Sequence, residues 1–205
     1  MRKIFTIFLV MALTTVLSAC SNNTDSPKLL SKEGVAPYDL SESDTYLLES
    51  LGIKNDTTII SFKAPKTAKS LKVNVYVLND DDTWHVIGDG QVLLGQDTNP
   101  DDRLEGTFTM MLKDNYAIDF NINTMGMASF QTETLDVDSE ITASLKGFLT
   151  DFQKIEINKE IPVALMVYDS GSSMRSYAME DFFSPSSFED VDLVQAVTLT
   201  FTDEN

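Results

Sequence analysis

Between Leu104 and Asn123 the chain alternates with a period of two. Leu104, Gly106, Phe108, Met110 and Leu112 take one side, against Glu105, Thr107, Thr109 and Met111. After Lys113-Asp114-Asn115 the pattern resumes, with Tyr116, Ile118, Phe120 and Ile122 on one side and Ala117, Asp119, Asn121 and Asn123 on the other. Successive side chains of a strand point to opposite faces, so each segment predicts a strand with one buried face, and the short turn predicts an antiparallel pair. A helix would scatter the same residues around its circumference. Any fold for this chain must supply an apolar layer facing that pair.

The same period recurs on both sides of the meander. Thr57 to Phe62 is a β-branched run, followed by a loop over Ala64 to Lys69. Leu71, Val73, Val75 and Val77 alternate with Lys72, Asn74 and Tyr76, and Asn79 to Asp82 turns the chain back into Thr83 to Ile87. Gly88-Asp89-Gly90 reads as a further turn before Gln91 to Leu94. Met127 to Thr134 predicts a strand, Ile141 to Leu149 is strand or irregular, and Phe152 to Ile157 is a short strand candidate. Ile161 to Tyr168 is apolar in both directions, which suits a strand covered on both faces; Pro162 must lie near its start because it removes a ladder donor. The last strand spans Val191 to Phe201. Nine or ten strands joined by tight turns predict a mainly β fold, an antiparallel β-sandwich with one short N-terminal helix.

That helix is expected over Ser41 to Leu51. Ser41 can cap it, Asp44 falls at the third helical position, and Gly52 can take the left-handed position that ends it. Leu47, Leu48 and Leu51 share one face, which predicts packing against an end or edge of the β domain and makes the helix the candidate cover for Ile161 to Tyr168.

The N-terminus has a different pattern. Arg2 and Lys3 precede an apolar run from Ile4 to Leu17, about 14 residues long where a bilayer-spanning helix needs about 20. A positive head, a short apolar core and small residues at its end are the layout of a secretory signal. Leu17-Ser18-Ala19-Cys20 closes the run on the only cysteine, and the chain turns polar at Ser21. This stretch resembles the signal peptide and lipobox of bacterial lipoproteins. The resemblance covers the first 20 residues alone. It implies a signal over residues 1–19, cleavage before Cys20 and lipid on the Cys20 thiol. Each acyl methylene buried in the membrane then adds about 0.8 kcal/mol to anchoring. The expected location is the cell membrane or outer membrane, facing away from the cytoplasm. Residues 20–37 read as a lipid-anchored tether, with Pro27, Gly34 and Pro37 among polar residues; its 17 residues beyond Cys20 reach on the order of 50 Å if extended. Residues 38–205 then form a single domain, which without a second cysteine must be held by its core.

The net charge of −17, more negative still once Arg2 and Lys3 leave with the signal, opposes binding to nucleic acid or to an anionic bilayer through the protein surface. The expected partners are the membrane, reached through the lipid, and an envelope protein or glycan.

No catalytic set emerges from the sequence. His85 is the sole histidine, in a strand beside the Asp80-Asp81-Asp82 turn, and reads as a surface residue. The seven methionines beyond the signal, Met110 and Met166 among them, read as core filling rather than soft-metal ligands. Calcium is the one cofactor for which oxygen donors are suitably spaced: Asp97, Asn99 and Asp101 match the opening of a calcium loop. Asp102 and Phe108 stand where that loop needs glycine and glutamate, so solvated turns are the plainer reading. The connection from Asp169 to Asp190 is longer than a strand crossover needs. It holds Arg175 and Tyr177 as candidates for a ligand surface, a possible short strand over Ser176 to Glu180, and Phe182, Phe183 and Phe188 to pin it down. Tyr76 and Trp84 are further candidates for such a surface, as aromatic platforms for a sugar. The reading is therefore a non-enzymatic binding or structural module of the cell envelope. The alternative is a carbohydrate-binding or carboxylate-dependent hydrolase domain.

Overall fold

A computed structural model describes residues 30–94, 102–137, 139–171 and 175–204. The described residues form ten strands: β1 (Gly34–Pro37), β2 (Thr57–Lys63), β3 (Ser70–Leu78), β4 (Trp84–Leu93), β5 (Glu105–Leu112), β6 (Ile118–Asn123), β7 (Met127–Gln131), β8 (Ala143–Phe148), β9 (Glu160–Asp169) and β10 (Leu193–Thr202). One five-stranded sheet runs β1-β2-β5-β6-β7 and the other β4-β3-β10-β9-β8, every pairing antiparallel. The fold is thus mainly β and sandwich-like, with one helix.

The meander is paired as its period requires, with Phe108 opposite Ile122 and Met110 opposite Phe120. Their side chains join Ile60, Phe62 and Ile118 of the first sheet against Leu71, Val73, Met166, Leu199 and Phe201 of the second. Met110 and Met166 are fully buried in this layer. Gln195, also fully buried, donates its Nε2 to the Tyr116 carbonyl at 2.9 Å, and so links β10 to the turn between β5 and β6.

Gly88-Asp89-Gly90 is not a turn. β4 runs through it unbroken, with Gly88 opposite Val75 and Gly90 opposite Val73. The glycines serve the closure of the sandwich. A Cβ on Gly88 would lie 2.7 Å from Thr132 Cγ2, and one on Gly90 2.8 Å from the Phe130 ring, so the lack of side chains lets β4 approach β7 of the other sheet.

The opposite side closes through the N-terminal strand. Gly34 to Pro37, expected in the tether, form an edge strand paired with β2, so the folded part begins before Tyr38. Val35 is fully buried, and its backbone N–H and C=O exchange hydrogen bonds of 2.9 and 2.8 Å with Gln153. Phe152 to Ile157 is correspondingly no strand: it makes this one bridge, and the Phe152 ring lies where a Cβ of Gly34 would stand.

Helix α1 (Glu42–Ser50) has the expected ends. Ser41 Oγ accepts from the Asp44 N–H at 3.1 Å and the Asp44 carboxylate accepts from the Ser41 N–H at 3.0 Å, which closes a capping box. At the other end the Gly52 N–H reaches the Glu49 carbonyl and the Ile53 N–H the Leu48 carbonyl, with Gly52 at φ +70°. The packing differs from expectation. None of the helix residues is buried, Tyr46, Leu47 and Leu51 are largely exposed, and the helix does not cover β9.

Candidate functional site

Strands β9 and β10 have two apolar faces, and both are covered. Leu165, Val167, Val194 and Ala196 point away from the intersheet core and form a second cluster with Phe182 and Phe188. The long connection between β9 and β10 supplies this cover, in the place expected for the helix. It is built from 3₁₀ turns at Met179–Phe183 and Pro185–Phe188, and the short strand expected over Ser176 to Glu180 does not form. Asp181 fixes the first turn: its carboxylate accepts from the Ala178 N–H at 2.7 Å and its carbonyl from the Ser184 N–H at 2.8 Å. Asp192 fixes the base by accepting from the Ser170 N–H at 2.6 Å; hydrogen bonds from the Ser139 hydroxyl and from Ser170 hold its carboxyl below the usual range.

The candidate platform residues meet on this face, apart from Arg175, which stands exposed at the start of the covering segment. Trp84 stacks on Phe182 at 5.1 Å, donates its Nε1–H to the Phe182 carbonyl at 2.9 Å, and meets Phe188 edge-on at 6.1 Å. Tyr177 lies against Phe188 at 5.0 Å. Tyr76 and Trp84 are 61° from coplanar, and Tyr76 also packs on Phe182. These rings hold the connection against the sheet and do not form a coplanar open platform. Phe183, expected to help pin the segment, points outward and is 61 % exposed. It meets Phe182 edge-on at 5.1 Å.

Beside Phe183 a cleft of about 580 Å³ opens between the ends of β8 and β9, the 150–159 loop and the first 3₁₀ turn. Phe148, Tyr177 and Phe183 line its apolar part, while Asp151, Lys154, Glu156, Lys159, Glu160 and Glu180 contribute charge. Glu160 is the best held of these. Its Oε1 accepts from Tyr76 Oη at 2.6 Å, Thr198 Oγ1 at 3.0 Å and Asn74 Nδ2 at 3.4 Å. Burial, then the hydrogen bond to Glu160 and its negative charge, push the Tyr76 phenol up to about 12, so Tyr76 remains a donor throughout the physiological range. Glu160 Oε2 has no hydrogen-bond partner among the described residues. Lys159 is paired with Glu156 at 2.6 Å, and the charge of nearby Lys154 also acts on Glu156.

Neither Glu160 nor the outward position of Phe183 was signalled by the sequence. The polar face of β3 was legible in Asn74 and Tyr76, but their partner Glu160 lies 84 residues beyond Tyr76 and is reached through β10. A second, shallower hollow of about 560 Å³ lies on the outer face of the first sheet, with Leu48 and Ile53 at one end. His85 is exposed on β4. Cys20 and the calcium candidates Asp97, Asn99 and Asp101 lie outside the described residues. Among the described residues no three His, Cys, Asp or Glu side chains converge as metal ligands would, and no helix is long and apolar enough to cross a membrane. Compared with protein-family models, with curated proteins and with solved structures, the chain matches none.

Proposed function

We propose that this chain is a lipid-anchored protein of the cell envelope whose sandwich is a non-enzymatic binding module, working outside the cytoplasm through the cleft beside Phe183. The cleft carries the reading. Its volume lies in the ordinary range for small-ligand sites, its walls come from a sheet end and a braced turn, and it joins an aromatic rim to a carboxylate held by three donors. Such bracing suits an acceptor that fixes the position of a ligand. The anchor rests on the Leu17-Ser18-Ala19-Cys20 box and on the polar segment that separates it from β1.

The anchor is tested by fractionating bacterial cells that express the wild-type chain or Cys20→Ser after labelling with a radioactive fatty acid. The wild-type protein is expected in the membrane fraction and labelled. Cys20→Ser is expected to be unlabelled and released from the membrane, with an unchanged circular dichroism spectrum once purified. A Cys20→Ser protein that still partitions fully with the membrane would overturn the anchor.

A further inference from the structure

Resting on the binding-module reading, we propose that the cleft takes a neutral saccharide, with Phe183 as the surface for a sugar ring and Glu160 Oε2 as an acceptor for its hydroxyls. Phe183 is exposed because of how the turn is built. Phe182, its neighbour in the 3₁₀ turn, is buried under the Trp84 ring with its carbonyl tied to Trp84 Nε1, so the backbone beside Phe183 cannot rotate it inward without breaking that contact. The edge-on contact with Phe182 then steadies the Phe183 ring at the mouth of the cleft. An aromatic face open to solvent beside polar groups is what the C–H face of a sugar packs against.

The polar lining selects among ligands by charge. Asp151, Glu156, Glu160 and Glu180 outnumber Lys154 and Lys159 and so oppose an anion, while the mixture of acceptors and donors suits a neutral ligand rich in hydroxyls. A sugar hydroxyl donates and accepts at once and carries no charge, so it satisfies both kinds of group: Glu160 Oε2 and Glu180 accept from it, and Lys154 donates to it. The three hydrogen bonds on Glu160 Oε1 hold the carboxylate in place, with Oε2 left unpaired among the described residues. The volume of about 580 Å³ gives room for a mono- or disaccharide, or for the end of a longer glycan.

The test uses the full chain purified in detergent, with calorimetry and saturation-transfer NMR against a set of neutral disaccharides (maltose, cellobiose, lactose and chitobiose), with spermidine and inorganic phosphate as the charged probes. At least one disaccharide is expected to bind, with Phe183→Ala weakening it about tenfold or more, Phe183→Trp retaining it and Glu160→Gln weakening it. Phe183 is largely exposed, so its variants keep the wild-type thermal midpoint and the loss is read as binding. Binding of no disaccharide, binding of only spermidine or only phosphate, or disaccharide binding unchanged in Phe183→Ala each overturns the proposal. Membrane partition of the Cys20→Ser chain is a separate readout, so the saccharide site and the anchor fail independently.

Discussion

Replacing Phe182 with alanine should detach the segment between β9 and β10 from the sheet. Phe182 is 5 % exposed and packs on Trp84 at 5.1 Å and on Tyr76 at 5.8 Å, within a cluster that also holds Phe188, Leu165 and Val194. Truncating a buried phenylalanine to alanine costs about 3–5 kcal/mol, combining the lost transfer energy with the cavity left behind. With a urea m-value of about 2 kcal/mol/M, that lowers the midpoint by about 2 M. The assay has a built-in probe, because Trp84 is the only tryptophan and stacks on the deleted ring. Its emission should shift to the red in water while the far-ultraviolet circular dichroism keeps its β signature, since the intersheet core does not include Phe182. Phe183→Ala, one residue away but exposed, should cost less than about 0.5 kcal/mol. Trp84→Phe keeps a ring in place but removes the donor to the Phe182 carbonyl, for about 1 kcal/mol. A Phe182→Ala loss below about 1 kcal/mol with unshifted emission would refute the claim that this ring holds the segment down.

Gly106→Ala should destabilise by more than about 3 kcal/mol, because its Cβ would overlap the Asn123 carbonyl oxygen on β6 and force the two strands apart; Gly126→Ala, with nothing within 4 Å of the new Cβ, should stay within about 0.5 kcal/mol. Urea midpoints of the two variants check this, and equal values would refute it. At alkaline pH the sandwich should lose stability through Tyr76 and Tyr168, both raised from 10.0 to about 12, chiefly by burial. The folded state keeps both protons where the unfolded chain releases them, so their contribution is complete below pH 10 and declines as pH rises toward 12. Tyr76→Phe should flatten part of that decline, and a Tyr76 phenolate signal appearing near pH 10 in the folded protein would refute the assignment.

The sequence was most informative where one strand face alone was buried. Ile118, Phe120 and Ile122 announced their side because the intervening Asp119 and Asn121 face outward. Sequence pattern is uninformative where the reason for a residue lies in the other sheet. Gly88 and Gly90 look like turn residues until Thr132 and Phe130 are seen against them. β1 was missed because, in four residues, only Val35 carries a large buried apolar side chain, and its second pairing comes from Gln153. The two-faced apolar pattern from Ile161 to Tyr168 correctly demanded a second cover but could not say which segment supplies it. The cleft was illegible for a similar reason. Glu160 gains its role from Tyr76 and Thr198, neighbours set by strand order, and Phe183 gains its exposure from Phe182, which satisfied the need for burial at that turn.

The exchange of hydrogen bonds between Val35 and Gln153 has a mechanical side. Gln153 belongs to the 150–159 wall of the cleft, and β1 is the first strand after the N-terminal segment. If the chain is held through its N-terminus as proposed, tension entering β1 passes to β2 of the first sheet and, through two backbone hydrogen bonds, to Gln153. Peeling this four-residue edge strand away would release Gln153, one tie of the cleft wall, and would draw Val35 out of the intersheet core. Given the proposed anchor and binding site, attachment and occupancy would then be coupled: a ligand that braces the 150–159 wall would raise the force needed to strip β1.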